Sequence, residues 1–207
     1  MARKTKAEAE ATREAILDAA EQVFFEKGVA RTSLEQVACT AGVTRGAIYW
    51  HFRNKQDLFE AMLGRVSNPM TARLEDLLEN RRDITALRAI CIDSLRQLAT
   101  SEHNFRVFSI LFLRTESDTG LAAQDRLAGR SVELLKQYFS TPGVQDLLLE
   151  GVSPELAAMS MHTYFTGIYF DWLKAPSQWD LAQQTPALVD VILRGLFRPG
   201  VSVVDHP

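Results

Sequence analysis

Apolar residues recur along most of this chain at intervals of three and four, the spacing of one helix face. Over residues 7–27, AEAEATREAILDAAEQVFFEK, Ala15, Ile16, Ala19, Ala20, Val23 and Phe24 form one stripe, and Gly28 follows as a stop. Thr32 and Glu35 stand at capping-box spacing before a second helix over about 34–41, which turns Leu34, Val37 and Ala38 inward. Gly42 ends that helix, and Thr44 is a suitable N-cap for a third helix running to about His51. Asn54 caps a long fourth helix from Lys55 to about Asn80, and Asp83 caps a fifth with Leu87, Ile90, Cys91, Ser94, Leu95 and Leu98 inward. A phenylalanine-rich sixth helix covers 103–115, and a seventh runs from a cap at Asp118 to about Ser140. Thr141-Pro142-Gly143 then breaks the chain, and a short helix is expected at 144–149. Ser153, with Pro154 at the first helical position, opens an apolar eighth helix to about Leu173. Pro176 stops it, and a last helix covers about 185–197. Alternating strand patterns and Asn-Gly hairpin signals are missing.

This pattern predicts an all-α protein of about nine helices. Two short helices joined by a tight turn at Gly42, behind a longer first helix, make a helix-turn-helix. The expected division is a helix-turn-helix domain over 1–54 and a larger helical body over 55–207.

Composition narrows the class without changing the fold. Apolar residues make up 46 % and charged residues 24 %, as in ordinary globular proteins. No apolar run approaches membrane-spanning length, and the basic N-terminus lacks the apolar stretch of a secretory signal. A cytoplasmic protein is therefore expected, with Cys39 and Cys91 as reduced, mostly buried thiols. Net charge is −3, which read globally argues against a nucleic-acid partner. Residues 1–65 hold 10 Lys and Arg against 9 Asp and Glu, so any anion-binding surface must work by local arrangement.

The third helix supplies that arrangement. In a helix-turn-helix the second of the paired helices enters the major groove, N-terminal residues first. Here those are Thr44, Arg45, Gly46 and Ala47. Arg45 can bond a guanine edge bidentately. Gly46 and Ala47 let the backbone come close to base edges, and Ala47 can meet a thymine methyl. Ile48 and Phe52 face the core. Tyr49, Trp50 and His51 point in three directions around the helix and flank the groove, where their polar tips suit phosphate oxygens. For Trp50, packing between helices is a second reading. Lys55, at the start of the fourth helix, and Ser33, at the start of the second, are further candidates for holding phosphate.

The span from Thr12 to about Leu63 resembles the DNA-binding domain of TetR-family transcriptional repressors. Gly28, Thr32, Ser33, Val37, Ala38, Ala41-Gly42-Val43, Gly46, Tyr49, His51-Phe52, Lys55 and Leu58 stand where that family's pattern puts them. The opening ARKTKAEAEATR, TRGAIYWHF, ILFLRTE at 110–116 and GIYFDWLKAPSQWDL at 167–181 are similar to the AcrR and TtgR branch, which represses multidrug efflux pumps. The resemblance implies that Thr44, Arg45 and Gly46 approach bases and that Tyr49, His51 and Lys55 grip phosphates. Arg3, Lys4 and Lys6 form a basic arm that can contact the backbone or minor groove, or be a solvated tail.

In the body, Phe105, Phe108 and Phe112 share one helix face, Tyr138 ends the seventh helix, and Met161, Phe165, Thr166 and Tyr169 lie on the eighth. Each ring alone reads first as plain core; for the set together, the resemblance implies a drug-sized pocket. At places where some relatives carry polar or acidic groups, this chain has Phe108, Phe112 and Thr166, which favours neutral aromatic inducers over dications. The eighth helix is apolar nearly all round and must be covered on most sides, which points to a homodimer and a palindromic operator. The four histidines are scattered, and no nucleophile triad, Cys-x-x-Cys pair, phosphate loop or His-Glu-x-x-His motif occurs. No catalysis, cofactor, metal site or membrane partner is expected. The expected partners are double-stranded operator DNA, a small hydrophobic aromatic inducer and a second copy of the chain. A TetR-type sensor of a metabolite, controlling a catabolic operon, is the alternative.

Overall fold

The computed structural model describes residues 6–80, 83–115 and 118–201, apart from the side chains at 118 and 119. Arg3 and Lys4 of the expected basic arm lie outside them. Nine α-helices appear among the described residues. They are α1 (Lys6–Lys27), α2 (Leu34–Thr40), α3 (Arg45–His51), α4 (Lys55–Glu79), α5 (Ile84–Thr100), α6 (Glu102–Leu113), α7 (Asp118–Phe139), α8 (Pro154–Lys174) and α9 (Leu181–Leu196). The all-α expectation holds. The described backbone adds one isolated antiparallel bridge, Leu148 to Phe197.

Two compact units emerge. The first takes residues up to Val66 together with Arg106–Gln124, and the second takes Ser67–Phe105 and the chain from Asp125 onward. Helix α4 passes from one to the other three residues before Pro69, which has no N–H to donate to the preceding turn.

The first unit is built around the buried stripe of α1. Ile16, Leu17, Ala20, Val23 and Phe24 pack with Val37 and Ala38 of α2, Ile48 of α3, Phe52, and Leu58, Phe59 and Met62 of α4. The Phe24 and Phe59 rings meet edge to face at 5.8 Å. Gly28 (φ +81°) and Gly42 (φ +67°) occupy left-handed turns that L side chains rarely adopt, which explains both stops. After α2, the Val43 N–H donates to the Ala38 carbonyl at 3.0 Å and turns the chain tightly into α3.

The second unit is knit by α5 and α9. Leu87, Leu95, Val189 and Leu193 are fully buried, and Arg88 grips Asp190 with Nε at 2.6 Å and an Nη at 3.4 Å. Asp83 caps α5 as expected, accepting from the Thr85 and Ala86 N–H groups. Ser153 caps α8, with Pro154 in its first turn.

Several local expectations change. The capping box of α2 runs from Ser33 to Gln36, one residue after the expected Thr32–Glu35 pair. The Ser33 hydroxyl accepts from the Gln36 N–H at 3.2 Å, and the Gln36 side-chain Oε1 accepts from the Ser33 N–H at 2.9 Å. Thr32 is buried and donates to the Gly28 carbonyl, which removes it from the cap. Residues 145–147 form a single 3₁₀ turn where a short helix was expected. Helix α9 starts at Leu181, because Asp180 caps it through the Gln183 N–H at 2.9 Å and buried Leu181 anchors its first turn. Cys39 is exposed, because α2 turns only Leu34, Val37 and Ala38 inward; Cys91 is buried, which pushes its thiol up to about 12.

Candidate nucleic-acid interface

Helix α3 is seven residues long and fixed to the core by Ile48 and by Phe52 at its end, which are 0 % and 2 % exposed. Every other side chain of α3 is free of that duty. Thr44 caps the helix, its hydroxyl accepting from the Ala47 N–H at 3.2 Å. Arg45 and Gly46 are exposed and Ala47 half-buried. Tyr49 is 44 % exposed, and Trp50, at 72 %, is the most open large apolar side chain described. Such exposure rules out packing between helices for Trp50 in the isolated chain. Its ring stands edge-on to His51 at 4.5 Å. A groove of about 730 Å³ runs beside α3, between it and the first turns of α1. Thr44, Ala47, Trp50 and His51 line one side and Ala9 and Thr12 the other.

Two features of this surface escape the sequence. Glu35 does not close the capping box of α2. Its carboxylate lies 3.3 Å from Arg45 Nε and accepts from the Tyr49 hydroxyl at 3.4 Å, while the Arg45 guanidinium sits 5.7 Å from the Tyr49 ring centre. Its own backbone N–H, and then the charge of Arg45, hold the Glu35 carboxyl below its ordinary value. Lys55, expected to hold phosphate, directs its ammonium inward. It donates to the carbonyls of Val29 at 2.8 Å, Ala30 at 3.1 Å and Thr32 at 3.0 Å. All three of its protons are thereby placed, and only its backbone N–H, in the first turn of α4, remains in the role expected of it. Ser33 is exposed at the start of α2 and tied into its capping box. No signal along the chain marks either contact, since the partners come from different segments.

The side chains expected to line a ligand pocket fall into several settings. Phe108 and Phe112 stack at 6.4 Å within the first unit. In the second, Phe105 meets Trp172 edge-on at 6.0 Å and Phe165 meets Tyr164 at 6.0 Å. Thr166 lies 3.5 Å from His162 Nε2, and burial lowers the pKa of that histidine. Met161 is buried. Tyr169 is buried too, and a 2.6 Å hydrogen bond joins its hydroxyl to Ser94; burial pushes its phenol up to about 12. Tyr138 is 2 % exposed and borders a cavity of about 750 Å³ with Leu77, Ile84, Leu147 and Val201. Among the described residues no cluster of His, Cys, Asp and Glu could hold a metal, and no described helix is long and apolar enough to cross a membrane.

Comparison with known proteins gives a consistent result. Residues 16–62 match the family described as bacterial regulatory proteins, tetR family, and residues 83–197 match the C-terminal region of MAATS-type transcriptional repressors. The HTH-type transcriptional regulator AcrR of Shigella flexneri is 36 % identical over 199 residues, covering 93 % of each chain. Among solved structures, NalD, the secondary repressor of the MexAB-OprM multidrug efflux pump in Pseudomonas aeruginosa, superposes with a TM-score of 0.80 at 38 % identity, covering 92 % of this chain and 98 % of its own. SmeT, the repressor of the Stenotrophomonas maltophilia multidrug efflux pump SmeDEF, superposes in its triclosan complex with a TM-score of 0.84 at 30 % identity, covering 95 % and 99 %.

Proposed function

The chain belongs to the tetR family of bacterial regulatory proteins, and on that premise we propose that it is a ligand-responsive, DNA-binding repressor of a multidrug efflux pump operon. The observation that carries the DNA part is the division of labour on α3. Ile48 and Phe52 hold the helix, and Thr44, Arg45, Gly46, Tyr49 and Trp50 are left outward. Arg45 and Gly46 then face base edges, with Thr44 and Ala47 beside them. Tyr49, Trp50, His51, Ser33 and the backbone N–H of Lys55 face phosphates. The efflux part is supported by the likeness to NalD and SmeT over nearly the whole chain.

The working form is a homodimer in the cytoplasm. Leu156, Met159 and Phe170 on α8 and Val191 on α9 are 41–64 % exposed, and a second copy covers them. Two α3 helices related by a two-fold axis read a palindromic operator. A small aromatic compound bound in the helical body favours a state in which the two heads no longer fit the operator. Coupling of this kind is worth roughly 1–3 kcal/mol. No step of this account requires catalysis or a cofactor.

The inducer is neutral and aromatic. The stacked, uncharged rings of Phe108 and Phe112 support that preference. Calorimetry should show tighter binding of triclosan than of the dication propidium; the reverse order contradicts it.

A gel shift on the DNA upstream of the chain's own gene tests the proposal. A retarded band is expected that weakens steeply between about 50 and 200 mM salt, as counterion release requires, and that triclosan dissolves. A band indifferent to sequence and salt, or no band, contradicts it. Neighbouring genes for metabolic enzymes in place of a pump would replace the efflux assignment and leave DNA binding standing.

A further inference from the structure

We propose that Glu35 is a positioning residue for base recognition, holding Arg45 in the pose that reads the operator and keeping it off phosphates. This rests on the DNA-binding reading of α3 and deepens it. Glu35 is the second residue of α2, where the helix N-terminus favours a carboxylate. The capping box of α2 is closed by Ser33 and Gln36, and the Glu35 carboxylate, which also bonds its own backbone N–H and the Ser33 side chain, extends from there toward α3. It faces α3, where Arg45 and Tyr49 stand one turn apart on the same side. Its Oε1 lies against the Nε side of the Arg45 guanidinium at 3.3 Å and takes the Tyr49 hydroxyl at 3.4 Å. The Tyr49 ring flanks the same guanidinium at 5.7 Å.

A guanidinium has two edges that can make paired hydrogen bonds. A carboxylate on the Nε side leaves the edge formed by the two terminal nitrogens, the one that meets O6 and N7 of guanine. An arginine on a bare surface would sample many rotamers and pair with any nearby phosphate. Glu35 and Tyr49 order it before DNA arrives, and the carboxylate competes with phosphate for the same cation. The pair is exposed, 73 % at Arg45 and 48 % at Glu35, and such pairs contribute little to folding. Its effect therefore belongs to recognition.

The test uses the full-length protein and a preferred duplex selected by the wild type from a random pool. Arg45→Ala identifies the base pair that Arg45 reads. Fluorescence anisotropy then gives affinities for that duplex, for its substitution at that base pair, and for a scrambled duplex. For Glu35→Gln the preference at the Arg45-dependent base pair should fall about 2- to 10-fold, the value of ordering one flexible side chain in advance. Affinity for the scrambled duplex should rise, and the melting temperature should stay unchanged. In an Arg45→Ala background the same substitution should leave base preference unaltered, because the effect passes through Arg45. An unchanged preference in the single variant, an equal loss in the double variant, or a loss tracked by a fall in melting temperature overturns the proposal. A wild type that selects no duplex overturns the DNA-binding reading itself, and does so before any variant is made.

Discussion

Glycine in a helix costs about 1 kcal/mol relative to alanine, yet a Cβ built on Gly46 would meet nothing nearer than the Thr44 hydroxyl at 3.9 Å. The fold does not require this glycine; under the proposed function, close approach to a duplex does. Gly46→Ala is therefore expected to raise stability in a urea titration by about 0.5–1 kcal/mol and to weaken duplex binding. Equal or tighter binding would remove Gly46 from the interface. Lys55 behaves in the opposite way. Its ammonium closes the 29–32 turn through three carbonyls, so Lys55→Met should cost about 1–3 kcal/mol of stability by leaving them without their charged donor. An unchanged urea midpoint contradicts that role. At this scale the sequence was half legible. Arg45, Tyr49 and Trp50 were readable as outward because Ile48 and Phe52 had to point in. The inward turn of the Lys55 ammonium and the place of Glu35 are not legible in the sequence, because their partners lie 23–26 and 10–14 positions away and no local spacing encodes them.

Helix boundaries followed the caps wherever one side chain stood in one obvious place. Asp83 at the start of α5 was legible for that reason. Its carboxyl is held below the ordinary range by the Thr85 hydroxyl first, and then by the backbone N–H groups of Ala86 and Thr85. A carboxyl depressed in the folded state stabilises above its unfolded pKa and loses that stabilisation as pH falls through the lower folded value. Asp83→Ala should thus cost about 1 kcal/mol in urea at pH 7, and the difference from wild type should shrink below about pH 4. A difference independent of pH would show that the charge on the cap is irrelevant. Where two capping residues compete, local pattern decides less. Thr32-Ser33 precedes α2, and burial of Thr32 against the Gly28 carbonyl hands the cap to Ser33. The last helix was expected from about residue 185, but the Asp180 cap and buried Leu181 start it earlier.

The molecule as a whole carries a net charge of −3, which hides its chemistry. Duplex binding is attributed to a few groups on one seven-residue helix, in a segment that is nearly neutral. The all-α architecture was legible throughout, because helix periodicity, caps and breakers agree along the chain. The grouping of Arg106–Gln124 with the N-terminal helices was not, since it depends on contacts between distant segments. Within that unit Arg106 of α6 pairs with Glu21 of α1 at 2.8 Å, and the Arg114 carbonyl accepts from the Val29 N–H at 3.4 Å. These contacts tie most of α6 to the N-terminal helices inside that one unit. The most direct test is DNase I footprinting of the full-length protein on the intergenic DNA beside its gene. One protected stretch containing an inverted repeat is expected, its half-sites spaced by about one helical turn or a multiple of it. That protection should be lost when Arg45 is replaced by alanine. No protection, or a footprint that Arg45→Ala leaves unaltered, would contradict it.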